Sequence, residues 1–160
     1  MSTAAPTLHV TTPTDREIVM SRVLNAPRDL VFDAWTNPKH LPNWMLGPPG
    51  WSMPVCEIDL RPGGSWHMIW RSPDGQQLEM RGKYHEIIWP ERIVSTESWG
   101  GDWPETHHTL TFTEANGQTT FHLRILYPSK EARDAALRTG MAEGMSHGFA
   151  RLDVYLRQMG

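Results

Sequence analysis

The spacing of hydrophobic positions changes along the chain, and these changes define the predicted elements. Before about residue 127, apolar and polar positions mostly alternate with a period of two, which predicts β-strands. From Gly140 to Met159 the apolar positions recur every three or four residues, which predicts an amphipathic helix. The apolar side of this C-terminal helix carries Met141, Met145, Gly148, Phe149, Leu152, Tyr155, Leu156 and Met159.

Seven strands are predicted, and most are separated by short turn sequences such as Asn116-Gly117. Two short helices, the first with Pro27 in its opening turn, are predicted between the first and second strands. Because tight turns join neighbouring strands, the sheet is predicted to be antiparallel. The predicted strands span 16–23, Val55–Leu60, Ser65–Arg71, Leu78–Ile88, Arg92–Trp99, His107–Glu114 and Thr119–Tyr127.

One face of such a sheet needs a large apolar cover, and the C-terminal helix is the predicted cover. Gly144 and Gly148 lie near the apolar side of this helix. Each glycine costs about 1 kcal/mol relative to alanine in a helix interior. We therefore expect that another backbone or a bound molecule approaches the helix closely there.

Length, charge and cysteine content limit the kinds of protein that this sequence can encode. The 160 residues suit one domain, expected over residues 15–160 after a mobile tail over residues 1–14. A net charge of -3 gives no reason to expect nucleic-acid binding. The sequence shows no secretory signal and no long apolar run, so we expect a cytoplasmic protein that does not enter a membrane. Cys56 is the single cysteine, so no intrachain disulfide is expected.

Five stretches carry a resemblance to a known family. In chain order they read FDAWTNPKHLPNWM, DLRPGGSW, RSPDG, YHEIIWPERIV and TGMAEGM. The sequence resembles the bacterial branch of the activator-of-heat-shock-protein-90-ATPase homologue family, within the START-like (SRPBCC, birch-pollen-allergen-like) superfamily. The resemblance covers about Arg16 to Met159. The family often has tryptophan where this chain has Met145, so this chain should have a softer wall at that position.

The resemblance implies an α+β helix-grip fold, in which a seven-stranded curved antiparallel sheet wraps around a long C-terminal helix with a cavity between them. Inward strand positions, the loop over residues 45–54 and the helix together predict an apolar ligand site. The same inward residues also fit an ordinary hydrophobic core. The predicted cavity residues are Trp44, Trp51, Trp66, Met68, Trp70, Met80, Tyr84, Phe112, Leu123, Met141, Met145 and Phe149.

Three polar residues, Glu86, Glu97 and His108, are predicted on the inward strand phase. A sheltered carboxylate beside an imidazole is a candidate acid/base pair. Alternatively, the two glutamates form ion pairs with arginines at strand ends, such as Arg81 or Arg92. No cofactor is expected, and no metal is expected because the histidine spacing matches no known ligand pattern.

Three functions remain open at this stage. The protein binds a small apolar or amphipathic molecule, associates with a chaperone in a stress response, or catalyses cyclase- or hydrolase-like chemistry with Glu86, Glu97 and His108. The implied partners are a small apolar ligand and, in the second case, a chaperone. The sequence is compatible with either a monomer or a homodimer.

Overall fold

The computed structural model describes residues 7–46 and 48–159. Its helical elements are α1 (Arg28–Thr36), a 3₁₀ turn (Leu41–Asn43), α2 (Lys130–Arg138) and α3 (Met141–Met159). Its strands are β1 (His9–Thr11), β2 (Glu17–Leu24), β3 (Ser52–Ile58), β4 (Ser65–Arg71), β5 (Gln77–Ile88), β6 (Arg92–Ser98), β7 (Thr106–Ala115) and β8 (Gln118–Leu126).

All these strands belong to one antiparallel sheet with the order β1-β2-β8-β7-β6-β5-β4-β3. From β3 to β8, strands that are consecutive in the chain lie side by side, as the turn sequences predict. The pairing of β2 with β8 joins the beginning of the domain to its last strand. The prediction of an α+β fold with a curved antiparallel sheet and a C-terminal helix is confirmed.

The number of strands differs from the prediction, because the sheet has eight strands rather than seven. The additional strand, β1, pairs with β2 and sets Val10 opposite Met20. Residues 9–11 of the predicted tail are therefore an edge strand, which a three-residue segment in a polar context does not signal. Residues 1–6 of that tail lie outside the described residues.

Local signals for turns and helix ends agree well with the structure. The hydroxyl of Ser129 accepts a hydrogen bond from the Ala132 amide at 3.1 Å and so caps α2. Gly140 has a φ of +81° and separates α2 from α3. The edge strand β3 begins at Ser52 rather than Val55, with an irregular register before Val55 that accommodates Pro54.

The densest part of the core is an aromatic cluster centred on Trp35. Its ring lies 5.1–5.5 Å, between centroids, from the rings of Trp44, Phe112, Phe121 and Phe149. These four partners come from the 3₁₀ turn region, β7, β8 and α3. The cluster therefore packs α1 with the 3₁₀ turn, and also α3, against the same part of the sheet.

Helix α3 is attached through its C-terminal half. Its buried residues are Gly148, Phe149, Leu152, Asp153 and Leu156, and none precedes Gly148. A polar contact adds to this attachment, because Arg22 of β2 donates from Nη1 to the Phe149 carbonyl at 2.9 Å. Asp153 accepts from the Asn25 amide at 3.0 Å and lies 4.0 Å from the Arg22 guanidinium.

Gly148 lies where α3 passes the backbone of Trp44. A Cβ atom placed on Gly148 would lie 3.4 Å from the Trp44 carbonyl oxygen. The expected close approach of another backbone is therefore confirmed at this glycine. A methyl group fits at van der Waals distance, whereas a longer side chain would have to pass the Trp44 carbonyl.

This geometry predicts opposite effects for two substitutions of Gly148. Gly148→Ala should leave the free energy of unfolding unchanged or raise it by up to about 1 kcal/mol, because it removes the glycine penalty in the helix. Gly148→Leu should lower it by about 2 kcal/mol through overpacking against Trp44. Urea denaturation of the two variants measures the difference, and equal stability of the two would contradict the close contact.

Candidate functional site

One row of directly opposed residues crosses five strands on the face of the sheet that α3 covers, here called the inner face. The row runs through Ile58, Trp66, Gly82, Glu97 and Thr106, on β3 to β7 in turn. Directly opposed residues project from the same side of a sheet. The row therefore places one carboxylate in a mainly apolar wall.

Glu97 forms an ion pair with His108, which lies diagonally across from it on β7. Oε2 of Glu97 lies 3.3 Å from Nε2 of His108, and the two side chains are 18% and 13% exposed. The Trp99 indole donates to the same Oε2 at 3.1 Å, and Thr106 Oγ1 lies 2.8 Å from His108 Nε2. Both contacts of the Glu97 carboxylate are made by Oε2. Its other oxygen, Oε1, has no hydrogen-bond partner among the described residues and is accessible to solvent.

The surroundings favour the charged form of Glu97. Burial acts to raise the pKa of this carboxyl, but the His108 charge and the hydrogen bonds from His108 and Trp99 outweigh it. The pKa of Glu97 therefore lies below its usual value. Burial, with a smaller contribution from the Glu97 charge, raises the pKa of Tyr127 to about 12. Tyr127 thus stays protonated, and its hydroxyl lies 3.6 Å from the Met141 sulfur at the start of α3.

Gly82 lets the Trp66 ring lie flat across β5 next to this pair. A Cβ atom on Gly82 would fall 1.9 Å from the Trp66 ring, so no other residue fits there without displacing the indole. The indole N–H points to the Met80 sulfur at 3.0 Å, and the ring lies 4.8 Å from that of Tyr84. Trp66 and Tyr84 are both buried.

Two further tryptophans form the rim of this site. Trp70 and Trp99 stack with centroids 5.3 Å apart and an interplanar angle of 22°. The Trp70 indole donates to the Met45 carbonyl at 2.7 Å, which ties the rim to the loop after the 3₁₀ turn. Trp99 is 40% exposed, so the stack connects the buried carboxylate with the protein surface.

The predicted cavity residues fall into three groups in the structure. Trp44, Phe112 and Phe149 are at most 2% exposed and belong to the closed aromatic cluster. Trp51, Met141 and Met145 are partly buried against the core. The residues of the inner face around Glu97 and His108 each keep 5–8% exposure, and they are Trp66, Met68, Trp70, Met80, Tyr84 and Leu123.

The prediction that Glu86 shares a face with Tyr84 is wrong. A β-bulge shifts the register, so that Tyr84 lies opposite Ser95 but Glu86 lies opposite Val94. The extra residue turns Glu86 to the outer face, where it pairs with Arg92 at 3.0 Å. The ion-pair alternative therefore describes Glu86, whereas Glu97 and His108 come together on the inner face.

The structure does not show the expected ligand-sized cavity. Two surface concavities stand out among the described residues, with volumes of about 520 Å³ and about 200 Å³. The larger lies on the outer side of α3, and the smaller lies near the hairpin between β7 and β8. Neither is lined by a predicted cavity residue, because the side chains of the inner face and of α3 fill most of the intervening space.

Three residues of this site were not predicted: Trp99, Thr106 and Tyr127. Trp99 ends the predicted strand that carries Glu97, and its spacing of two residues places it on the same side as Glu97. The same spacing relates Thr106 to His108. The register alone could therefore have indicated both contacts, but it could not indicate which nitrogen or oxygen takes part.

Other reactive groups give no comparable site. Burial raises the pKa of the Cys56 thiol to about 11, which makes it a poor nucleophile at neutral pH. Across residues 7–46 and 48–159, no three His, Cys, Asp or Glu side chains are arranged to hold a metal ion. In the same ranges, no helix has the length and apolar character needed to span a bilayer.

Comparison with known proteins identifies the family to which this sequence belongs. The family model described as "Activator of Hsp90 ATPase homolog 1-like protein" matches residues 25–157. The chain belongs to this family. No curated protein matches the sequence.

Solved structures support the same assignment. A protein from Rhodobacter sphaeroides is 27% identical with a TM-score of 0.90, and the match covers 95% of this chain and 99% of that one. A protein from Nitrosomonas europaea is 22% identical with a TM-score of 0.83, over 92% and 98% of the two chains. Ms6760 from Mycobacterium smegmatis is 24% identical with a TM-score of 0.81, over 92% and 97%. The last two likenesses concern the fold alone.

The lowered pKa of Glu97 predicts a specific pH dependence of stability. The stabilisation from ionised Glu97 is complete above the ordinary glutamate pKa of 4.5 and is lost as the pH falls through the lower pKa of the folded state. Glu97→Gln should therefore cost about 1–3 kcal/mol of unfolding free energy near pH 6. The cost should shrink as the pH falls towards about 3.

Glu86→Gln is the matched control, because Glu86 and Arg92 are both 45% exposed on the outer face. That substitution should change the unfolding free energy by less than about 0.5 kcal/mol at either pH. Chemical denaturation of the two variants and the wild type provides the comparison. A cost for Glu97→Gln that does not depend on pH would show that its charge does not stabilise the fold.

Proposed function

We propose that this protein binds a small amphipathic ligand between the inner face of the sheet and the N-terminal half of α3. The observation that carries the proposal is the free Oε1 of Glu97, an ionised acceptor in an apolar wall. Solvent reaches this oxygen, so a donor on the ligand would replace water as its hydrogen-bond partner. The ligand is therefore expected to carry a hydrogen-bond donor at one end.

The apolar part of the ligand would lie against the side chains around Glu97. Trp66, Met80 and Tyr84 offer two ring surfaces and a polarisable sulfur at this position. These residues retain 5–8% exposure, in contrast to at most 2% for Trp44, Phe112 and Phe149. This residual exposure favours the region around Glu97, rather than the closed aromatic cluster, as the place of binding.

Access would come from movement of the cover rather than from an existing opening. No residue of α3 before Gly148 is fully buried, and the contacts that would have to break are those of Met141, Ala142 and Met145 with the core. Gly140 at its start has a positive φ, and the Trp70–Trp99 stack forms the other side of the entrance. Displacing this half would create space while the C-terminal half stays attached through Phe149 and Asp153.

Chaperone association and cyclase- or hydrolase-like catalysis remain predictions. For catalysis, Glu86 lies on the outer face, so acid/base work would fall to Glu97 and His108 alone. A single carboxylate with a neighbouring imidazole also fits a binding role, since both groups orient a ligand by hydrogen bonds. We therefore favour binding.

Native mass spectrometry of freshly purified protein tests the proposal first, because it detects a small molecule that stays bound during purification. A defined probe then tests the position of the site. N-phenyl-1-naphthylamine is neutral, aromatic and carries one N–H donor. We expect its fluorescence to rise in a saturable manner on binding one site per chain, and Glu97→Gln should weaken binding by about tenfold.

Two tryptophan substitutions on α3 distinguish the inner from the outer side of the helix. Met145→Trp should fill the space under the helix and abolish probe binding. Val154→Trp is the control, because Val154 is 52% exposed and lines the outer concavity. Equal probe binding by both variants and the wild type, with no co-purified molecule, would contradict the proposed function.

A further inference from the structure

A second polar cluster lies where α1, the 3₁₀ turn and α3 meet, away from the inner face. Nδ1 of His40 lies 2.7 Å from the Tyr155 hydroxyl, and Nε2 lies 3.1 Å from Oδ2 of Asp33. The Asn43 side-chain amide also donates to the Tyr155 hydroxyl at 3.4 Å. An aspartate, an imidazole and a phenol thus form a continuous hydrogen-bonded chain.

The chemistry of the three groups fixes the direction of these bonds when His40 is neutral. An ionised carboxylate only accepts, so Nε2 of His40 carries the proton and donates to Asp33. Nδ1 must then accept, and the Tyr155 hydroxyl donates to it. In this state the phenol offers only lone pairs to any further molecule.

A second proton on His40 reverses one of these bonds. Both ring nitrogens of the imidazolium donate, so Nδ1 now donates to the Tyr155 oxygen. The Tyr155 O–H then no longer donates to His40 and is available to donate to a neighbouring acceptor. Towards a further molecule, the Tyr155 hydroxyl is therefore an acceptor when His40 is neutral and a donor when His40 is protonated.

The Tyr155 side chain lines the larger surface concavity. This concavity has a volume of about 520 Å³ and is lined by Asn43, Ala150, Arg151, Val154, Tyr155 and Gln158. It is an open groove on the surface rather than an enclosed cavity, so a bound molecule would keep one side in water. One part of the lining is apolar, and the remainder consists of an arginine, two amides and the phenol.

Arg151 adds a second, independent feature to this concavity. Its Nη1 atom is buried and has no hydrogen-bond partner, the only such side-chain atom in the described part of the chain. A buried cationic N–H without a partner is unfavourable. Rotation of the guanidinium towards the concavity would let this atom meet an oxygen of a bound anion, and its planar fork matches a carboxylate.

We propose that this concavity binds a small carboxylate with an apolar body, and that binding is coupled to proton uptake by His40. Arg151 would hold one carboxylate oxygen, and Tyr155 would donate to the other once His40 is protonated. Ala150 and Val154 would contact the apolar body. Because the proposed ligand and the proton bind together, the affinity should fall as the pH rises.

The charges around His40 are consistent with this coupling. The titratable groups in contact with it are Asp33 from α1 and Tyr155 from α3. Asp33 supplies a negative charge beside the imidazole, and Arg151 supplies a positive charge to the same concavity. A bound carboxylate would offset the Arg151 charge, so ligand and proton should favour each other's binding.

Isothermal titration calorimetry of the full-length protein with benzoate tests the proposal. Measuring at about pH 8, above the ordinary imidazole pKa of about 6.5, in two buffers with different ionisation enthalpies gives the number of protons taken up. We expect one binding site and uptake of up to about one proton per benzoate. Benzyl alcohol, the neutral analogue, should not bind measurably.

Three variants assign the effect to residues. Arg151→Met should weaken benzoate binding by about tenfold or more. Tyr155→Phe should bind benzoate more weakly and without proton uptake, because the relay to His40 is broken. Glu97→Gln should behave like the wild type, which separates this site from the one on the inner face.

Two results would overturn the proposal, and both can be obtained with the unmodified protein. One is the absence of saturable benzoate binding, and the other is binding without proton uptake. Unchanged affinity in Arg151→Met, with a normal circular dichroism melting curve, would also contradict it. If a variant fails to fold, the proton count of the wild type still decides.

Discussion

The structure depends on how α3 is attached to the sheet, because this helix is the cover of the inner face. Its C-terminal half is fixed by Phe149 in the Trp35 cluster and by the contacts of Arg22 with the Phe149 carbonyl and Asp153. A buried arginine and aspartate are stable only when both are well paired, so these contacts define one position for the helix. The N-terminal half has no equivalent anchor.

This unequal attachment explains why the two ends of the inner face differ. Beneath the anchored half, aromatic rings from α1, β7 and β8 pack closely around Trp35. The other half begins at Met141, whose sulfur lies 3.6 Å from the Tyr127 hydroxyl, and Glu97 of the Glu97–His108 pair lies near enough to Tyr127 for its charge to help raise the pKa of that phenol. A charged pair in that position would be unfavourable under a tightly packed helix, and it is better suited to a region that a polar ligand or water can reach.

Much of the fold could be predicted from sequence because its signals are local. Strand alternation, the Asn116-Gly117 turn, the Ser129 cap and the helical period after Gly140 each act over a few residues. The β-bulge beside Tyr84 has no such signal, and one extra residue moved Glu86 to the opposite face. The short strand β1 was missed because three residues are too few to establish a period.

The candidate site could be predicted only in part, for a related physical reason. The alternation of residues along β6 and β7 correctly predicted that Glu97 and His108 lie on one face. The prediction holds because the pairing of these two strands has no register shift. Phase does not report how completely side chains fill the space above a sheet. The closed inner face and the Asp33–His40–Tyr155 chain both depend on contacts between distant segments, which periodicity cannot show.

Hydrogen–deuterium exchange along α3 tests the central claim most directly, because it measures local opening of each part of the helix. We expect the amides of residues 145–147 to exchange at least about tenfold faster than those of residues 152–156. Addition of N-phenyl-1-naphthylamine should slow exchange in the first group and leave the second unchanged. Uniform protection along the whole helix, with no response to the probe, would contradict an α3 that is anchored at one half and opens at the other.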